Sequence, residues 1–256
     1  MSIIDSSTFI REVRKSPQNF FLIHYSCQSL YDDNDALSPR ITSIAISHYA
    51  TGQAVSFSTH SIAEELHIAR EDVIQNFDAI ELELLSGFYR FVRDRRDKYW
   101  VHWNMRNLTY GFEHLEHRYR ALGGRDASVI PVERRLNLND LISDRYGSNY
   151  ASHPKMKSLM ELNGGIPRHF LNGEEEIAAF ENKEFIRMHN STLSKIGFFS
   201  SIMKKLISGK LHTASRGFGV MIDKLFEGRP LKTIGFLSML IGISVGLWQT
   251  YLWLFA

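Results

Sequence analysis

The chain has 256 residues, enough for one sizeable core plus accessory segments, and sets 30 lysines and arginines against 28 acidic residues. A net charge of +2 is too small to identify a partner, so the placement of charge carries the argument. The single cysteine, Cys27, excludes an internal disulfide and any multi-cysteine zinc site.

In chain order, the opening MSIIDSSTFIREVRK carries Asp5 and Glu12 and lacks a long apolar core, so it does not read as a secretory signal. Phe20-Phe21-Leu22-Ile23-His24-Tyr25 predicts a buried strand, and the following YDDNDALSP a loop. Ile41 to Ser47 and Gln53 to Ser58 predict two more strands joined through Tyr49-Ala50-Thr51-Gly52, giving a three-stranded antiparallel start.

Helical signals follow. Ser61 with Glu64 forms an S-x-x-E capping box, and from Asp72 the residues Val73, Phe77, Ile80, Leu84, Phe88 and Val92 recur at helical spacing. Tyr99 to Trp103 is strand-like; alternation puts Trp100 and His102 on one face and Val101 and Trp103 on the other, so one tryptophan is expected in the core. A helix from about Leu108 is expected to close at Gly123-Gly124. Shorter helices over Leu138 to Tyr146 and Lys155 to Leu162 end at Gly147 and at Gly164-Gly165. Three strands, helix, strand and further helices make an α/β or α+β domain built on a sheet.

Three acidic residues, Glu174 to Glu176, suit a helix N-terminus. Ile177, Phe180, Phe185, Met188, Leu193, Ile196, Phe199, Met203 and Leu206 then continue an apolar stripe as far as Gly209. Such a helix is expected to lie on a membrane surface or to line the vestibule of an oligomer. The chain thus divides into a domain over 1–172, an amphipathic connector over 173–232 and a last segment over 233–256.

That last segment, TIGFLSMLIGISVGLWQTYLWLFA, has no charged residue. As a helix it would run about 36 Å, enough to cross a hydrocarbon core of about 30 Å. Ser238, Gly242, Gly246 and Thr250 recur every four residues and form a low-volume stripe through which copies of the span are expected to associate. Trp248, Tyr251 and Trp253 suit the far interface. Lys195, Lys204, Lys205, Lys210, Arg216, Lys224, Arg229 and Lys232 precede the span against only Asp223 and Glu227, which places the soluble part on the cytoplasmic side.

The strand FFLIHYSCQS and the later YWVHWNMRNLTYGFEHLEHRYRALGG give an order of elements that resembles the ribonuclease-H-like domain of three-prime-to-five-prime exonucleases. The resemblance covers about Phe20 to Gly165 and implies a mixed sheet with flanking helices. It also implies an acidic pair on the first strand, an Asp after the V-x-H-N-type stretch and a last Asp beyond a late His, which together bind two catalytic metal ions. This chain has His24 and Ser26 at the first pair, Asn107 or Leu108 at the third position, and Ser158 beyond His153. Without those carboxylates the resemblance implies a binding fold that lacks the nuclease chemistry, with no metal and no cofactor.

Its cleft would suit single-stranded nucleic acid. His24, Tyr25, Gln28, Trp100, His102, Trp103, Asn104 and Arg106 combine stacking faces with polar groups for base edges, and Arg118 and Arg120 offer phosphate contacts, with Arg134 and Arg135 or Lys155 and Lys157 as further cations. Glu113, His114 and His117 have metal-ligand spacing, although a run such as EHLEHRYR is more often a solvated helix face. No G-x-x-x-x-G-K-[ST] loop and no G-x-S-x-G elbow is present.

A cytoplasmic binding domain, an amphipathic helix and one self-associating span resemble the membrane effectors of bacterial antiphage defence systems. The arrangement is similar to the channel component of Hailong-type systems. The resemblance implies a homo-oligomeric inner-membrane ion channel, a short single-stranded DNA or nucleotide signal that gates it, and a nucleotidyltransferase partner that makes the signal. Two alternatives stand beside it: a membrane-tethered nuclease using Asp32, Asp33, Asp35 and Glu113, and a tail-anchored adaptor.

Overall fold

The computed structural model describes residues 4–28, 38–106 and 110–214. Residues through Ala214 form one compact unit. The expected span over 233–256, with Ser238, Gly242, Gly246 and Thr250, lies outside the described residues, as do Asp32, Asp33 and Asp35. Among the described residues no helix is long and apolar enough to cross a membrane.

The unit is α/β, with five strands in the order β3-β2-β1-β4-β5. Strands β1 (Phe20–Cys27), β2 (Ile41–His48) and β3 (Ala54–Ser58) are antiparallel neighbours, as expected. Strands β4 (Tyr99–His102) and β5 (Arg135–Asn137) run parallel to β1, so the sheet is mixed. Central β1 is buried at all eight positions, which accounts for its continuous apolar and aromatic run.

Helices cover both faces. On one, α2 (Thr59–Glu65), α3 (Phe77–Arg93) and α4 (Phe112–Ala121) close a core in which Phe21, Ile23 and Tyr25 of β1 meet Ile80, Leu84 and Phe88 of α3. Gly87 belongs to this packing: a Cβ there would sit 2.9 Å from the Phe57 ring, so α3 approaches β3 as only glycine permits. On the other face lie α1 (Ser6–Lys15), α5 (Leu138–Tyr146) and α8 (Phe185–Ser208), with Phe9 of α1 edge-on to Phe20. Helices α6 (Lys155–Leu162) and α7 (Gly173–Glu181) complete the unit.

Several expectations need correction. Ser61 does not start a helix: α2 begins at Thr59 with Ser58 as its N-cap, because the strand ends there and the Ser58 hydroxyl meets that of Ser61 at 2.9 Å. The stripe expected to run unbroken from Ile177 breaks at Asn182 to Glu184, where Lys183 takes a left-handed φ of +57°, and α8 starts afresh at Phe185. Helix α8 is no free connector. It packs on β1 and β2 within the compact unit, so its apolar stripe serves the sheet. It ends at Gly209, whose φ of +69° gives the left-handed cap that the sequence predicts.

Candidate ligand-sensing site

The alternation expected of β4 is present, β1 alternates likewise, and together they separate the predicted site residues. Tyr25, Trp100 and His102 face the α3 side, where Trp100 stacks on Phe21 at 5.3 Å and His102 stands edge-on to Phe112 at 5.4 Å. His24 and Trp103 face α8, where Trp103 stacks on Phe199 at 5.9 Å and His24 is edge-on to the same ring at 5.6 Å. All five side chains are at most 5% exposed, so both tryptophans are core and their ring faces are already occupied by protein.

Hydrogen bonds account for the polar atoms of most of these residues. The Tyr25 hydroxyl meets His114 Nδ1 at 2.9 Å, while His114 Nε2 donates to the Pro39 carbonyl at 2.9 Å. Burial holds His114 neutral, its pKa lowered to about 4. His102 Nδ1 accepts the Met105 N–H at 3.2 Å, and burial lowers its pKa to about 3. The run EHLEHRYR is therefore only partly a solvated face: His114 and Leu115 are buried, His117 is exposed, and Glu113 pairs with Arg135. Among the described residues no group of acidic, histidine and cysteine side chains is arranged to hold a metal ion.

The remaining predicted residues are exposed or already paired. Gln28 is exposed just beyond β1. Asn104, at φ +55°, receives Arg106 Nη2 on its side-chain oxygen at 2.8 Å, and Arg106 Nη1 reaches Asp140 at 3.1 Å. Arg118 is committed to Glu81, a fully buried carboxylate that receives Arg118 Nε at 2.8 Å and the Ile41 N–H at 2.9 Å. Arg120 pairs with Glu116 one turn away on α4.

Sequence reasoning missed the polar seam between α8 and the sheet. The register puts Ser26, Ser43 and Ser58 in one row across three strands, and His24, Ala45 and Ser56 in the next. Onto these rows α8 lays His189, Thr192 and Lys195. Glu176 of α7 enters from the side, and its Oε1 accepts Lys195 Nζ at 2.6 Å, Ser26 Oγ at 3.0 Å and Ser191 Oγ at 3.1 Å. Ser26 Oγ also meets Thr192 Oγ1 at 2.8 Å, and His189 Nδ1 meets Ser43 Oγ at 2.8 Å. A buried ion pair of this kind persists because three donors converge on one carboxylate oxygen.

His24 borders the seam. The Tyr110 hydroxyl donates to the Tyr25 carbonyl at 3.1 Å, so His24 Nδ1, 3.1 Å away, is the donor to Tyr110. His24 Nε2 is then a buried lone pair with no partner. Burial, with Lys195 nearby, pushes the His24 pKa well below its ordinary value. The signal for the seam was present in the run of small polar residues on the α8 side of β1 to β3, at every second position of strands whose other face is apolar. Comparison with protein-family models, with curated proteins and with solved structures finds no significant match.

Proposed function

We propose that the protein is an oligomeric, single-pass inner-membrane channel effector of bacterial antiphage defence. Its cytoplasmic sheet unit, read here as ribonuclease-H-like, senses a short single-stranded DNA or nucleotide signal made by a nucleotidyltransferase partner. The observation that carries this reading is a join. Helix α8, seated on the sheet by a buried charged seam, carries the first residues of the basic flank and is the last described helix before the uncharged 233–256 segment.

A buried charged seam contributes little net stability but penalises any seating that leaves its groups unpaired, so a ligand that favours a second seating of α8 must supply that difference. A ligand that prefers one seating shifts the balance by its differential affinity. Supporting the exonuclease resemblance, the expected run of three antiparallel strands, helix, strand and helix is present in the sheet unit. Supporting a role without nuclease chemistry, His24 and Ser26 stand where that resemblance implies acids, and both lie beneath α8. Glu113, an acid of the alternative tethered-nuclease reading, is paired with Arg135.

The test is the mass of the detergent-purified protein, together with its ultraviolet absorbance ratio and extraction of bound nucleic acid. The expected outcome is a defined oligomer carrying a short single strand or nucleotide, with conductance in a planar bilayer that changes when the ligand is stripped. A nucleic-acid-free monomer without conductance would overturn the reading.

A further inference from the structure

Beside the seam, a cavity of about 530 Å³ opens between α2 with the turn that follows it and the junction of α7 and α8. This is within the range of about 300 to 1,000 Å³ usual for small-ligand sites. Its floor is apolar, made by Val73 and Phe185 of the core with Ala63 beside them. Its rim is cationic, with Arg70, Lys183 and Arg187. Of the two carboxylates that share it, Glu184 is bound by Arg187 at 2.8 Å, which leaves Arg70 and Lys183 against Glu64 alone.

Three of the polar side chains here are uncommitted. Among the described residues the side chains of Arg70, Lys183 and Asn190 have no partner. His60 Nδ1 is buried and makes no hydrogen bond.

We propose that this cavity binds a nucleoside phosphate, with the base on the Phe185 and Val73 floor, the phosphate between Arg70 and Lys183, and Asn190 bonding the base or sugar. The inference rests on the ligand-sensing reading above and gives that reading a location. Other ligand classes fit less well. A fatty acid leaves Asn190 unmatched, a neutral sugar leaves two cations unmatched, and a small polycarboxylate leaves the apolar floor wet. Donors that a ligand covers without pairing are penalised, so the ligand that pairs them all is favoured.

The cavity is also placed to influence α8. Lys183 sits at the left-handed residue of the three-residue link between α7 and α8, so a phosphate held there fixes the start of α8. The His60 ring lies 5.1 Å from that of His189, which meets Ser43 in the seam.

The test uses the full chain in detergent, stripped of nucleic acid, titrated calorimetrically with deoxyadenosine monophosphate, a 5′-phosphorylated oligodeoxyadenylate, adenosine and inorganic phosphate. The monophosphate or the oligonucleotide is expected to bind, with adenosine and inorganic phosphate at least about tenfold weaker. Binding of the oligonucleotide alone identifies a strand end as the source of the phosphate; binding of both identifies a free nucleotide as sufficient. Arg70→Gln and Lys183→Asn are each expected to weaken binding by about tenfold, asparagine being chosen because it tolerates a left-handed backbone. Arg90→Gln, on α3 outside the cavity and paired with Glu83, is expected to leave binding unchanged, and urea midpoints show that each variant is folded. If the folded Arg70 and Lys183 variants bind like the parent, this location is wrong while ligand sensing stands. If neither the monophosphate nor the oligonucleotide binds the parent protein, both the location and the sensing reading fail.

Discussion

The two faces of the sheet are finished by different means. Towards α3, Phe21, Ile23, Tyr25 and Trp100 interdigitate with Ile80, Leu84 and Phe88, and the buried carboxylate of Glu81 is clamped by Arg118. Towards α8, the rows of the sheet mix serine and histidine with alanine, and the contact buries the Glu176 to Lys195 pair. Apolar packing on the first face contributes stability and tolerates small shifts in side-chain position. A charged hydrogen-bonded seam contributes little net stability but penalises every seating except the one that satisfies it, so α3 anchors while α8 is positioned.

The largest effect that sharpens this contrast is expected at the seam. Lys195→Met leaves Glu176 buried and uncompensated and should cost about 3 to 5 kcal/mol in urea unfolding. Adding Glu176→Leu should return most of it, since the apolar pair needs no charge compensation. If the double variant is as unstable as the single, the seam is not a self-contained unit. On the opposite face Leu84→Ala is expected to cost about 2 to 5 kcal/mol through the cavity it leaves, and no partner substitution in the Glu176 to Lys195 pair should recover it.

Acid should act on both faces by a common route. His102, His114 and His189 have pKa values lowered from 6.5, to about 3, 4 and 4, chiefly by burial. In the unfolded chain each binds a proton near its ordinary pKa, whereas the folded protein resists, so unfolding takes up protons. Their neutral burial is without penalty above about pH 6.5, and stability falls progressively as pH drops towards 4. His189→Gln should flatten the pH dependence of the urea midpoint between pH 6.5 and 4, and an unchanged slope would mean that His189 does not titrate there on unfolding.

The smallest effects belong to the exposed pairs. Arg106→Ala and Arg120→Ala remove surface ion pairs and should each cost only about 0.2 to 1 kcal/mol, less at high salt. A larger loss would place those residues in contacts beyond their described partners.

Much of the fold was legible because periodicity reports burial directly. Strands β1 and β2, the antiparallel start, the helices over Leu138–Tyr146 and Lys155–Leu162 and the stop at Gly209 are where the pattern places them. Helix α1 was overlooked although Phe9, Ile10 and Val13 mark one face and Asp5 caps it, accepting the Thr8 N–H at 2.8 Å. Strand β5 has three residues, too few to show a period. The site was less legible for a different reason. Alternation assigns Trp100 and Trp103 to opposite faces, but not what covers each face, and α8 comes from more than eighty residues downstream to cover one of them. An apolar stripe at helical spacing looks the same whether it meets lipid, another helix or a sheet.

Helix α8 also has mechanical consequences. From Lys195 to Ser208 it extends about 20 Å beyond the seam. If the seam acts as a fulcrum, a tilt of about 10° displaces the far end by about 3.5 Å, from simple geometry on that rise per residue. At that end Lys205 Nζ donates to the Asn163 carbonyl at 2.5 Å, and the Arg14 guanidinium donates to the Ile207 carbonyl at 2.5 Å. These two bonds latch the tip of the lever to α1 and to the residue that follows α6, so they must yield before any pivot at the seam becomes travel at the tip.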